Sequence, residues 1–303
     1  MYDGPIKSIL VYHMRPMGFG DLIMLSDFFT ALRLKHPNSI ITLVSPYSIY
    51  DDSGLYDSRI NKRHFFYSLT RYDLVCTLSK GYPQSLLALV QRSHQYCVWG
   101  PGWKLYSNTG HEYRYKANLP YFALAENLCK ALGLVYTNNL VPVPCKEVVL
   151  PKKPYVVINP FVSWKSRRWS YDKYAELIQQ LDCNIVIVCG PQERVEVKTA
   201  FAAVDCKKYL GTLNLSQTSY LLKHAAAVVT GDCGPMHIAM SHSVPVVSLW
   251  SVTVPKTRIK PSYLSTSLYV KAESYDLENI PLSSNIDEIK VGDVRDLVQK
   301  IIS

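Results

Sequence analysis

The stretch AAAVVTGDCGPMHIAMSHSVPVVSLW, residues 225–250, decides the fold. Two short apolar runs enclose a polar turn, Gly231–Gly234, and a helical segment that carries His237 in its first turn. Neither run alternates polar with apolar. Each therefore reads as a strand buried on both faces, as strands of parallel sheets are. The first strand ends at Thr230-Gly231-Asp232, and a helix starts near Gly234. The opening backbone N–H groups of a helix lack intrahelical partners, and its aligned dipoles place roughly half a positive charge there. The turn is thus an anion site, suited to a diphosphate. Gly234 admits a ligand close to the backbone, and Pro235 is tolerated at the helix start. Asp232 either caps the helix or touches the ligand. His237 either packs in the core or contacts a phosphate or sugar.

Working outward, the same alternation fills the chain and predicts α/β architecture with parallel sheets and crossover helices. Strands are expected at 8–13, 40–45, 73–79 and 95–100 in the first half, and at 155–160, 184–190, 226–232 and 245–250 in the second. Helices are expected at 21–36, near 83–92, and at 120–133, 170–181, 192–204, 216–225 and 287–302. Ser216 is the expected cap of its helix. Between the halves lies LVPVPCKEVVLPKKP, 140–154, with Pro142, Pro144, Pro151 and Pro154. Proline neither continues a helix nor sits in a central strand, so this reads as a linker. The expectation is two doubly wound, Rossmann-like domains, 1–150 and 151–303, facing each other across a cleft lined by the carboxyl ends of both sheets. The last helix is a candidate to pack back on the first domain.

The chain has 303 residues, of which 48% are hydrophobic and 19% charged, an ordinary globular composition. No apolar run approaches the roughly 18 residues of a membrane-spanning helix, and the N-terminus reads as a first strand rather than a signal peptide. A cytoplasmic location is expected. The eight cysteines form no CxxC pair and lie mostly in apolar runs, as reduced core thiols do. For Cys233 the alternative is a reactive thiol beside a ligand. The net charge of +9 is shared, with +5 in residues 1–150 and +4 in 151–303. A diffuse basic surface suits an anionic partner such as a phosphorylated lipid headgroup, a nucleotide or nucleic acid. No basic stripe singles out nucleic acid.

Three further stretches carry candidate chemistry. In NPFVSWKSRRWSYDKYAELI, 159–178, a strand ends at Pro160 and a cationic loop follows, with Lys165, Arg167 and Arg168 before a helix starting near Ser170. Arginine binds phosphate as a planar bidentate fork; the alternative is a solvated loop. In GPQERVEV, 190–197, Glu193 lies at a helix start, placed either to accept hydrogen bonds from ribose hydroxyls or to complement the helix dipole. In RPMGFGDLIML, 15–25, the loop after the first strand holds Gly18 and Gly20, then Asp21. The full GxGxxG spacing is absent. Asp21 is either an N-cap or a carboxylate that takes a proton from an attacking hydroxyl. No P-loop, GxSxG, HExxH or paired metal-ligand cluster occurs, and Asp51-Asp52 lies in a polar loop. No metal and no cofactor are expected.

Taken together, these residues resemble glycosyltransferase family 9, the ADP-heptose heptosyltransferases of lipopolysaccharide core assembly. GDLIMLSDFFTALRLKHPNSIITLV, 20–44, is similar to the family's opening. INPFVSWKSRRWSYDKYAELI is similar to its strand, loop and basic residue two before a tryptophan. IVIVCGPQERVEV is similar to its strand–Gly–Glu segment, and the DCGPMHIA block to its D-[ST]-G-P-x-H-x-A signature. The resemblance covers most of residues 6–255 and is weakest over 46–140. It implies a GT-B fold, with an acceptor domain followed by a nucleotide-sugar domain, and inversion at the anomeric carbon without a metal. It implies Asp21 as general base, with Gly18 and Gly20 in the acceptor-side loop. Arg167 falls where the family has a diphosphate-binding lysine, with Lys165 as a possible substitute. Glu193 falls on the ribose acid, and Asp232, Cys233, Gly234, Pro235, Met236 and His237 on the donor diphosphate site. Implied partners are a nucleotide-sugar donor and an anionic glycolipid acceptor, with peripheral contact at the inner membrane face through residues such as Lys62, Arg63 and Arg71. Three departures stand out: Arg167 for lysine, Cys233 for Ser or Thr, and Ser251-Val252-Thr253 for Gly-Pro-Thr. The rival readings are the same transfer to a protein hydroxyl or a modified DNA base, an isomerase or hydrolase of nucleotide sugars, and a non-catalytic nucleotide-sugar binder.

Overall fold

The computed structural model describes residues 4–13, 18–61, 71–78, 93–99, 104–108, 113–114, 122–253, 255–261, 263, 267–271 and 285–303. The helix expected near 83–92, the first residues of that at 120–133, and Lys62 and Arg63 lie outside them. The chain divides into two compact units, Met1–Val141 and Pro142–Ser303.

In the first unit, β1 (Ser8–Tyr12), β2 (Ile40–Val44), β3 (Ser58–Ile60), β4 (Leu74–Thr77) and β5 (Gln95–Trp99) are parallel, in the order β3-β2-β1-β4-β5. Two antiparallel strands, β6 (Lys104–Ser107) and β7 (Tyr113–Arg114), extend the edge. Ile9, Leu10 and Val11 of the central strand are fully buried. Asp73 fastens the strand starts: its Oδ2 accepts the amides of Lys7 and Ser8 and the Ser8 hydroxyl. The single helix expected over 21–36 is two, α1 (Phe19–Met24) and α2 (Ser26–Lys35). They break at Leu25, whose carbonyl accepts the Phe28 amide in a tightened turn, while Ser26 Oγ accepts the Val141 amide at 2.9 Å. α3 (Ala123–Ala131) lies against α2: Lys35 donates to the carbonyls of Leu132 and Gly133.

In the second unit every described strand is parallel. β8 (Tyr155–Asn159), β9 (Asn184–Cys189), β10 (Lys207–Leu210), β11 (Ala227–Gly231), β12 (Val246–Trp250) and β13 (Ser267–Lys271) lie in the order β10-β9-β8-β11-β12-β13. Numbered within the unit this is 3-2-1-4-5-6, the doubly wound nucleotide-binding order. The crossover helices are α4 (Tyr171–Gln180), α5 (Arg194–Ala200), α6 (Leu215–Lys223) and α7 (Gly234–Ser241), followed by a short α8 (Pro255–Arg258) and the terminal α9 (Val291–Ile302). Trp169, Tyr174, Leu177, Val197 and Phe201 close the core over Val156, Ile158 and Val229. α9 joins that same core through Val291, Val294 and Val298. Its approach is fixed by Trp169 Nε1, which donates to Ile289 O, and by Asp287, which accepts the Ser170 amide. The last helix therefore belongs to the second unit's core.

The unit boundary falls nine residues before the expected one. Val143 donates its amide to Ser241 Oγ and accepts from Ser219 Oγ, and Lys146 donates to Ser216 O, so the Pro-rich segment is bound to the second unit. The cap of α6 is Asn214, not Ser216: Asn214 Oδ1 accepts the Gln217 amide and Gln217 Oε1 accepts the Asn214 amide, a reciprocal capping box. All eight cysteines are free thiols, and Cys76, Cys97 and Cys129 are buried.

Candidate active site

The strand order of the second unit reverses between β8 and β11, and a doubly wound sheet binds its ligands at the carboxyl ends beside that switch point. Here the sequence places Asn159 at the end of β8 and Thr230-Gly231 at the end of β11. Asn159 Nδ2 lies 3.0 Å from Thr230 Oγ1, 2.9 Å from Phe161 O and 3.3 Å from Cys233 Sγ. One amide thus ties together both strand ends, the loop after β8 and the start of α7. Gly231 lets that loop close down: a Cβ there would stand 2.7 Å from Val162 Cγ2 and 3.3 Å from Arg167 O.

Cys233 is the N-cap of α7, followed by Gly234, Pro235 and Met236. Burial pushes its thiol up to about 11, against the smaller pull of Thr230 and the Met236 amide. A thiol held this high is protonated near pH 7, which weighs against the reactive-thiol alternative. The Met236 side chain is fully buried, so this residue offers the site only its backbone.

Asp232 does not cap the helix. Its Oδ2 accepts from Arg167 Nη1 at 2.8 Å and from Thr253 Oγ1 at 3.2 Å. The Arg167 side chain is 12% exposed and that of Asp232 7%. A pair this enclosed offsets its desolvation only through such close, hydrogen-bonded geometry. Arg167 closes a 3₁₀ turn, Lys165–Arg167, after Trp164, whose ring lies 4.0 Å below its guanidinium. His237, 4% exposed, points Nε2 to within 4.0 Å of Asp232 Oδ1. Its Nδ1 is buried without a hydrogen-bond partner among the described residues. Burial drives its pKa down to about 4, against the pull of Asp232 and helped by Arg258, so the ring is neutral near pH 7.

The sequence groups Lys165, Arg167 and Arg168 in one cationic loop. The structure separates them. Arg168 turns to Glu196 of α5 at 2.6 Å and stacks on Phe161, which anchors the loop. Lys165 is exposed. Glu193, four residues past the end of β9, is the N-cap residue of α5, and its carboxylate folds over Gly190. Trp164, Asn159 and Thr230 escaped the sequence reading as site residues, although an Asn closing an otherwise apolar strand was a usable signal for Asn159; the sequence marks Thr253 only as part of a departure from the family pattern. In the first unit, Gly18 is the N-cap of α1 and donates its amide to Asp21 Oδ2 at 2.7 Å, with Gly20 buried inside the helix. Asp21 is thus the third residue of α1, and its carboxylate folds back onto the helix start.

The geometry has counterparts in known proteins. The sequence profile of glycosyltransferase family 9 (heptosyltransferase) matches residues 111–273, more than half of the chain. The lipopolysaccharide core heptosyltransferase OpsX of Haemophilus influenzae is 29% identical over 107 residues, 33% of this chain and 31% of that protein. The match therefore spans about a third of that relative's length. A family 9 glycosyltransferase structure from Veillonella parvula superposes with a TM-score of 0.75 at 15% identity, covering 98% of this chain and 97% of that one. E. coli heptosyltransferase WaaC with ADP superposes at 0.69 and 15% identity, covering 97% and 99%. These structures share the GT-B arrangement of two doubly wound α/β units. With the profile resting on the unit that carries the Asp232–Arg167 site, the chain belongs to glycosyltransferase family 9, the heptosyltransferase family.

Proposed function

We propose that the protein is an inverting glycosyltransferase that moves a heptose or related sugar from a nucleotide-diphosphate donor, ADP-heptose, to a hydroxyl of a lipopolysaccharide or lipooligosaccharide core. The observation that carries this reading is the enclosed Arg167–Asp232 pair beside the open start of α7 at the switch point. A guanidinium held in place next to a helix N-terminus is preorganised for a diphosphate. The WaaC structure holds ADP, which supports the same donor class here.

The reaction is a single displacement. The acceptor oxygen attacks the anomeric carbon, and its proton passes to the Asp21 carboxylate. The bond from that carbon to the diphosphate oxygen breaks, and the diphosphate leaves with the electron pair. Arg167, Lys165 and the backbone N–H groups of Gly234 and His237 stabilise the charge that develops, while Glu193 accepts from the ribose hydroxyls. The donor is a substrate, and the positive charge the reaction needs comes from these side chains and amides. An anionic glycolipid acceptor would draw the basic chain to the inner face of the membrane; among the described residues no helix is long and apolar enough to cross one.

Two substitutions test the assignment. Asp21→Asn is expected to lower kcat by a factor of about 10²–10⁴, the contribution of a positioned base, with ADP affinity unchanged by calorimetry. Normal turnover in that variant removes Asp21 from the role. Arg167→Ala is expected to weaken ADP binding by at least about tenfold, since charge-assisted contacts are worth about 1.5–3 kcal/mol; unchanged affinity transfers the diphosphate to Lys165.

A further inference from the structure

Arg167 and Arg168 are neighbours in sequence, and each lies on an aromatic ring of its own loop and reaches a carboxylate on another element. Arg168 stacks on Phe161 at 4.1 Å and reaches Glu196, and it also donates from Nε to Val162 O. That arrangement holds the loop. Arg167 stacks on Trp164 at 4.0 Å and reaches Asp232. The two aromatics differ: Phe161 packs against the core, whereas Trp164 is 61% exposed. A large apolar ring left this open contributes little to the core. Nor does it shape the turn, because the 3₁₀ bonds run between backbone groups, from the Arg167 amide to Trp164 O and from the Arg168 amide to Lys165 O.

We propose that Trp164 is a positioning residue for donor binding: its ring face holds the Arg167 guanidinium flat and screens it from water, so that the fork meets the diphosphate already oriented. The inference rests on the donor reading above. The physics is specific to arginine. A planar, weakly hydrated guanidinium stacks on an indole face, the strongest of the aromatic partners, within about 6 Å. A lysine ammonium at the same place is a compact point charge that gains orientation from no plane. A long side chain on a surface loop otherwise loses rotamer freedom on meeting its ligand, and an aromatic shelf removes much of that loss beforehand. Excluding water on one side also strengthens the field of the cation at the anion. The replacement of lysine by Arg167 and the tryptophan three residues earlier thus form one device, and Asp232 fixes the other end of the guanidinium.

The test is a double-mutant cycle read by calorimetry with ADP as the probe, on the full chain. Trp164→Ala is expected to weaken ADP binding about tenfold, the equivalent of a partly desolvated cation–π contact. Trp164→Phe, which keeps a ring face, is expected to stay within about threefold of the parent. Trp164→Leu, which keeps apolar bulk without a ring face, should lose as much as Ala and keeps the test open should Ala unfold. In the Arg167→Lys background the same Trp164→Ala change is expected to have no further effect, because the stack is already gone. Losses that multiply across the two positions, or full affinity in Trp164→Ala, overturn the positioning role while leaving the donor reading intact. A parent protein that binds no ADP overturns both. As a second readout, ADP should change the tryptophan emission of the parent and not that of Trp164→Phe; an identical change in both places the ligand away from this ring and overturns the proposal.

Discussion

His237 shows how single residues set both the site and its pH range. Its ring lies in the first turn of α7, buried and neutral, with burial holding its pKa at about 4. His13, at the end of β1, is similar: burial holds it at about 3, with Nδ1 on Ser45 Oγ at 3.2 Å. Above pH 6.5 these histidines are neutral in both the folded and unfolded chains. Below it the unfolded chain takes protons that the folded chain refuses, so stability falls with pH until the folded values near 4 and 3 are reached. Between pH 6.5 and 5 each histidine is expected to remove about 2 kcal/mol. The carboxylates of Asp51, Asp57 and Asp73, each held below the ordinary value, lose their contribution only at lower pH. Urea melts at pH 7 and pH 5 check this, and His237→Gln should make the slope shallower. Equal stability at the two pH values would mean that the rings are not buried as described. At this scale the residue types of the site were readable in advance, but not their pairings. Asp232 was equally consistent with a helix cap. It holds Arg167, a residue 65 positions away, because Cys233 already occupies the cap.

Among the elements, the strands that form the sheet centres were the most legible. YVVIN, NIVIVC and AVVTG are nearly continuous apolar runs, since both of their faces are covered. β3, β6, β7, β10 and β13 escaped. SRI, KKYL and SLYVK mix charged or polar residues with apolar ones, as outer strands do, and the run of SRI is too short to be told from a turn. The break of α1 and α2 at Leu25 also escaped, because Leu22, Leu25 and Phe28 keep a helical spacing through it. The element on which the site depends most closely is the end of β11. Gly231→Ala is expected to force Val162 or the Arg167 backbone outward, lowering stability by about 1–3 kcal/mol as overpacking does. It should weaken ADP binding as well, because the displaced loop carries Arg167. A variant with parent-like melting temperature and ADP affinity would show that the 2.7 Å approach relaxes without cost.

For the whole molecule, two units each close their own core, and the Pro-rich segment belongs to the second. A fragment of residues 142–303 is therefore expected to fold, and one starting at residue 151 to melt several degrees lower. The shorter fragment loses the bonds from Val143 and Lys146 to Ser241, Ser219 and Ser216, at about 1 kcal/mol each. Equal melting temperatures would place the boundary at the later position. The sequence by itself determined the class of fold, the division into two α/β halves, the family and most of the candidate residues. Apolar periodicity, helix-start chemistry and the D-x-G-P-x-H order are local properties that any window of the chain carries. Only the tertiary structure decided that Arg167 and Arg168 part company, that Asp232 serves an arginine rather than a helix end, that Met236 faces the core, and that α9 stays with the second unit. Each of these depends on which distant groups compete for the same few hydrogen bonds and the same buried volume, and that competition exists only once the chain is packed.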